Sequence, residues 1–141
     1  MKMRKILKRV LLIDDNEADN FIHKIFIQKH GGVEETVAVN SGQKALDYLS
    51  SNQTGSYPRP ELIFLDINMP RMNGWEFLEE YKKLDDEQKG GVVVVMLTTS
   101  LNPDDKKMAD GDGNVTEFMN KPLNIEKFQS VLEKYFPDRL D

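Results

Sequence analysis

The 141 residues read as one α/β domain, a parallel sheet wrapped on both faces by helices. Three observations predict this. Short continuous apolar runs recur at Val10-Leu11-Leu12-Ile13, Leu62-Ile63-Phe64-Leu65 and Val92-Val93-Val94-Val95-Met96-Leu97, the signature of strands covered on both sides. Stretches with helical apolar spacing separate them, so strand and helix alternate five times. Right-handed crossovers then place every strand end on one edge of the sheet. Finally, polar or acidic residues stand directly after those runs: Asp14-Asp15, Asp66 and Thr98.

Val10 to Ile13 predicts the first strand and Asp14-Asp15-Asn16 a turn. Phe21, Ile22, Ile25 and Phe26 give the inward face of a helix from Glu17 to Lys29, stopped by Gly31-Gly32. Thr36 to Val39 predicts the second strand, and Gln43 to Ser50 a helix with Ala45, Leu46 and Leu49 inward. Ser51 to Pro60, rich in Ser, Asn, Gly and Pro, predicts an exposed loop. Leu62 to Leu65 is the third strand, Asp66 to Asn73 a loop, and Trp75, Phe77, Leu78, Tyr81 and Leu84 the buried side of a third helix. Gly90-Gly91 introduces the valine-rich fourth strand. Asn102 caps a following helix with Pro103 at its first position, and the polar, glycine-bearing segment Asp104 to Asn114 predicts that this helix is short or frayed. Val115 to Met119 is the last strand. Ile125, Phe128, Val131, Leu132 and Tyr135 mark a final helix ending before Pro137.

Length and composition fit a single domain spanning 1–141, with its core at about residues 9–136, no output domain and a short basic leader. The net charge is −5, yet Lys2, Arg4, Lys5, Lys8 and Arg9 crowd the first nine residues, so the body is more acidic still. An acidic body argues against a broad nucleic-acid surface and leaves the small basic leader as the only electrostatic candidate for one. The apolar run after the leader stops after four residues, too short for a secretory signal, and no segment reaches the length of a membrane span. Absence of cysteine excludes a disulfide scaffold and thiolate metal sites, and a cytoplasmic location is the simplest reading.

Ligands of doubly wound sheets bind beyond the carboxyl ends of the strands. Asp14, Asp15, Asp66, Thr98 and Lys121-Pro122 all lie at those ends. Three converging carboxylates repel one another unless a cation joins them, and all-oxygen ligands suit Mg²⁺. The loop from Asp66 to Asn68 can add a backbone carbonyl. Three carboxylates balanced by Mg²⁺ and Lys121 leave the pocket near neutrality, so a phosphoryl group on Asp66 is tolerated, with Lys121 and the Thr98 hydroxyl beside it.

The acidic pair Asp14-Asp15, the run Phe64-Leu65-Asp66-Ile67-Asn68-Met69-Pro70, Gly74, Thr98 and Lys121-Pro122, in that order, resemble the response-regulator receiver domains of two-component signalling over nearly the whole chain. The resemblance implies a flavodoxin-like (βα)5 fold with strand order 2-1-3-4-5. It implies that Asp66 accepts phosphate from a histidine kinase, and that Asp14, Asp15, Asp66 and the Asn68 main-chain carbonyl hold Mg²⁺. Lys121 would pair with the phosphate. Thr98 would move toward it and let Phe118, at the switch-aromatic position, rotate inward to change a partner-binding surface. Within the family the chain looks similar to stand-alone receivers of phytochrome-like kinases, through Leu97-Thr98-Thr99-Ser100 and the Ser51 to Pro60 loop. Such a protein is no enzyme beyond its own phosphoryl transfer and autodephosphorylation. Its partners would be a kinase or phosphotransfer protein and a downstream protein target, with homodimerisation left open and neither nucleic acid nor membrane bound directly.

Other readings are weaker. A phosphorelay intermediate or phosphate sink uses the same site. A haloacid-dehalogenase-type phosphatase also uses a nucleophilic Asp, Mg²⁺, Thr or Ser and Lys, but resembles a first-strand D-x-D with its acidic pair downstream, the reverse of the order here. A receiver-like scaffold that never uses its phosphate site is the third. Asp110-Gly111-Asp112-Gly113 fails as an EF-hand, because a loop starting at Asp110 puts Val115 where glycine is required. His23 and His30, with no third ligand, read as surface residues.

Overall fold

The computed structural model describes residues 6–52, 55–89, 92–99 and 102–140. The start of the basic leader, two residues of the 51–60 loop, Gly90-Gly91, Ser100-Leu101 and Asp141 lie outside them. Five parallel strands form one sheet in the order β2-β1-β3-β4-β5. They are β1 (Leu7–Ile13), β2 (Val33–Val39), β3 (Leu62–Leu65), β4 (Val93–Thr98) and β5 (Glu117–Asn120). Helices α1 (Glu17–His30), α2 (Gly42–Leu49), α3 (Gly74–Lys82), the single turn α4 (Asp86–Lys89), α5 (Pro103–Gly111) and α6 (Ile125–Tyr135) connect or follow them. A 3₁₀ turn, Pro137–Arg139, comes after α6.

Alternation along the central strands splits the core into two layers. Val10, Leu12, Leu62, Phe64, Val95 and Leu97 pack with Ile27 of α1 and with Phe128, Val131 and Leu132 of α6. Leu11, Ile13, Ile63, Leu65, Val94 and Met96 pack on the other face with Ala45 and Leu49 of α2 and Phe77, Leu78 and Tyr81 of α3. Each burial of a Leu, Ile, Val or Phe side chain is worth about 1.5–3 kcal/mol. The two layers therefore hold the sheet rigid beneath its carboxyl edge.

The helices begin where the strands end because the connecting residues are capping residues. Asn16, Ser41, Asn73, Asn102 and Asn124 each accept a backbone N–H of the helix they open, and Asn73 forms a capping box with Glu76. Gly74 is required: a Cβ there would lie 2.6 Å from the Asp66 carbonyl oxygen, while its own N–H donates to the Ile67 carbonyl. Lys121-Pro122 is a cis peptide bond.

Helix α1 departs from expectation. Phe21 is 66% and Ile22 46% exposed, and the buried residues are Asn20, His23, Ile27 and His30. Polar contacts set this rotation. The Asn20 amide donates to the Asp14 and Val39 carbonyls, fastening the helix to the ends of β1 and β2. His23 and His30 are thus not surface residues. His23 Nε2 accepts the Leu123 N–H, and His30 Nδ1 accepts that of Gly32 while the ring meets Phe128 edge-on at 5.0 Å.

Candidate functional site

The register of the sheet assembles the site. Ile13 lies opposite Leu65, and Leu65 opposite Met96, so the residues following β1 and β3 emerge side by side. Thr98 pairs with Asn120, and the Thr98 carbonyl accepts the Lys121 N–H at 2.9 Å, fixing where β5 delivers its lysine. Carboxylate oxygens of Asp14, Asp15 and Asp66 all lie within 4.8 Å of one another. Asp14 and Asp66 are buried and Asp15 is exposed, so the pocket has a buried floor and an open side.

Lys121 reaches into this group. Its Nζ lies 2.5 Å from Asp14 Oδ2, 2.8 Å from Asp19 Oδ2 and 3.7 Å from Asp66 Oδ1. Burial alone would lower its pKa, but the hydrogen bonds it donates to Asp14 and Asp19 and the charges of Asp14 and Asp66 outweigh burial and raise it. Asp66 is pushed up to about 6, first by burial and then by the Asp14 charge, against the opposing pull of Lys121. A carboxylate so destabilised gains from a cation or from chemistry that spreads its charge.

Of the residues expected from sequence, Asp14, Asp15, Asp66 and Lys121 are brought together, and Thr98 is buried at the end of β4. Asn68 is exposed in the 66–73 loop. Phe118 is half-buried on β5, opposite Met96, with the Lys106 ammonium 5.9 Å from its ring centroid. Asp19 and His23 were not expected. Asp19 reads in sequence as an ordinary acid in the first turn of a helix, and only the turn of α1 toward the site brings it to Lys121. His23 carries a pKa lowered by burial, which keeps it a neutral acceptor for the loop that follows Lys121.

Three carboxylates and one lysine thus meet at the carboxyl edge of a doubly wound α/β sheet, where ligands of such proteins bind. The family of the response regulator receiver domain matches residues 10–133, and the chain belongs to it. It is similar to the probable methanogenesis regulatory protein FilR2 of Methanothrix harundinacea, at 30% identity over 89% of this chain and 79% of that protein. The crystal structure of a two component response regulator from Cytophaga hutchinsonii superposes with a TM-score of 0.82 at 33% identity, covering 95% of this chain and 99% of the other. The phosphorylated cyanobacterial phytochrome response regulator RcpA superposes with a TM-score of 0.73 at 30% identity, covering 93% and 95%. The protein is a response regulator receiver whose acidic site of Asp14, Asp15 and Asp66 serves phosphorylation, and membership implies a histidine kinase as its partner.

The donor set fits the divalent cation that such sites use. It is all oxygen, carries three carboxylates within 4.8 Å, and includes one whose proton affinity burial has raised.

Proposed function

We propose that Asp66 is the phosphoryl acceptor of a two-component system, within a single receiver domain spanning residues 1–141. The observation that carries this is the convergence of Asp14, Asp15, Asp66 and Lys121 at one strand edge. An Asp66 carboxylate oxygen forms a bond to phosphorus as the bond from phosphorus to the kinase imidazole nitrogen breaks, and the electron pair leaves with that nitrogen. Asp14, Asp15, Asp66 and the Asn68 main-chain carbonyl would hold Mg²⁺, which supplies charge neutralisation for the phosphoryl oxygens.

Lys121 moves its ammonium from the carboxylates to the new phosphoryl oxygens. Thr98, at the end of β4, is drawn with its hydroxyl toward the same group and leaves space for Phe118 to rotate inward. Phe118 carries the change outward: it sits on β5 opposite Met96, two residues before Thr98 on β4, with the Lys106 ammonium of α5 5.9 Å from its ring centroid. The protein acts as a switch that catalyses only its own phosphorylation and dephosphorylation. Its donor is a kinase of the phytochrome-like kind, supported by the likeness to the phytochrome response regulator RcpA. A phosphotransfer protein is the alternative to the kinase as exchange partner, and the output is binding to a downstream protein target. Among the described residues no helix is long and apolar enough to cross a membrane, and the proposed location is the cytoplasm.

Intact-mass measurement after treatment with acetyl phosphate tests this. The wild type should gain one phosphoryl group only with Mg²⁺ present, and Asp66→Asn should gain none. A wild type that gains nothing would make the chain a scaffold.

A further inference from the structure

Lys121 has more carboxylate neighbours than one ammonium needs. Its shortest contact is to Asp14, a residue proposed to bind the cation, and its next shortest is to Asp19, which has no place in that cation site. Asp66 is the most distant of the three. Lys121 is enclosed, its side chain 9% exposed, so its ammonium needs an anionic group beside it, carboxylate or phosphoryl, in each state of the site.

A cation held by Asp14 and an ammonium held by the same carboxylate compete, because like charges a few ångströms apart repel. The ammonium then needs another anion within reach. Asp19 is that anion: it stands on the first turn of α1, already in hydrogen-bond contact, and is itself one-third exposed, so water stabilises it when Lys121 leaves. Asn16 caps α1 and Asn20 ties it to Asp14 and Val39, so Asp19 is presented from a fixed backbone.

We propose that Asp19 is a positioning residue that gives Lys121 a resting station outside the cation site, and thereby sets the balance between cation binding and phosphoryl binding. This rests on the reading of Asp66 as the phosphoryl acceptor. Without bound cation, Lys121 is shared by Asp14 and Asp19. With the cation bound, Lys121 withdraws onto Asp19. When Asp66 carries phosphate, the phosphoryl oxygens must win Lys121 from Asp19, so the same carboxylate that favours the cation opposes the phosphorylated state.

The two effects have opposite signs, which separates a positioning role from damage to the fold. Calorimetric titration of Mg²⁺ into metal-stripped protein should show Asp19→Asn binding about fivefold more weakly than wild type, the scale of a partly exposed ion pair. Titration of beryllofluoride, an aspartyl-phosphate mimic, at saturating Mg²⁺ should show Asp19→Asn binding more tightly than wild type. The Mg²⁺ effect should shrink to about twofold or less in a Lys121→Met background, because the station matters only when the ammonium is present. An equal Mg²⁺ factor in both backgrounds, or weakening of both ligands, overturns the assignment and leaves the phosphoryl-acceptor reading intact. Wild-type protein that binds Mg²⁺ but no beryllofluoride overturns that reading instead, and with it the claim that Asp19 opposes phosphorylation.

Discussion

Asp66 is a buried carboxyl beside the charge of Asp14. Its carboxyl rises from 3.8 to about 6, chiefly through burial and then through Asp14. The folded chain holds this proton more tightly than the unfolded chain, so the stability associated with it is present below pH 3.8 and lost as pH rises to about 6. Above that, the ionised carboxylate opposes folding by up to about 3 kcal/mol. Asp66→Asn should therefore stabilise the protein by about 1–3 kcal/mol in urea unfolding at pH 7 with divalent cations removed, and the gain should vanish near pH 4. His23 runs the other way. Burial lowers its pKa below 6.5, so its neutral form contributes stability above that pH which acid removes. His23→Ala loses the acceptor for the Leu123 N–H and opens a cavity, and thermal or urea unfolding should show a loss of about 2–4 kcal/mol. The roles of these residues were unequally legible in the sequence. Asp14, Asp15, Asp66 and Lys121 announce themselves as charges at strand ends, where packing has no use for them. Asp19 and His23 lie inside a helix in which Phe21 and Ile22 are exposed while Ile27 is buried in the core. Apolar spacing gave the wrong face because Asn20 hydrogen bonds, which have no hydropathy signal, set the rotation.

Among the elements, β3 matched its expected bounds because an uninterrupted apolar run, Leu62 to Leu65, ends on an acid. β1 and β2 begin three residues before their apolar runs, at Leu7 and Val33. There Lys8 and Glu34-Glu35 are exposed and interrupt the hydrophobic signal while the backbone keeps its ladder with the neighbouring strand. The single turn α4, Asp86–Lys89, carries no buried residue and so left no periodicity to read. Gly74 is a constraint of the loop that holds Asp66. Gly74→Ala would press a methyl group on the Asp66 carbonyl, and it should cost about 1–3 kcal/mol in urea unfolding and slow phosphorylation by acetyl phosphate. Helix α5 is anchored differently from the other long helices. It buries only Ala109, and polar contacts hold it: Trp75 Nε1 donates to Asp105 at 3.2 Å, and Lys82 lies 3.7 Å from Asp112 just past its end. Amide exchange in α5 of the unphosphorylated protein should be about tenfold or more faster than in α6, and equal protection would contradict a loosely held helix.

At the scale of the molecule, two hydrophobic layers fix the sheet, and the sheet fixes a row of strand ends. Alternating strands and helices made that architecture legible, while the order of the strands came from family resemblance and agrees with the structure. The charges that the core cannot accept collect along one edge, where a single lysine is divided among three carboxylates. The account stands on Asp66 being the residue that takes the phosphoryl group. Protein treated with acetyl phosphate and Mg²⁺, reduced with borohydride and digested for peptide mass mapping, would locate the acyl phosphate directly. The account predicts conversion of Asp66 to homoserine in the peptide that contains it, with Asp14 and Asp15 unchanged; homoserine at either of those residues, or at none of the three, would contradict it.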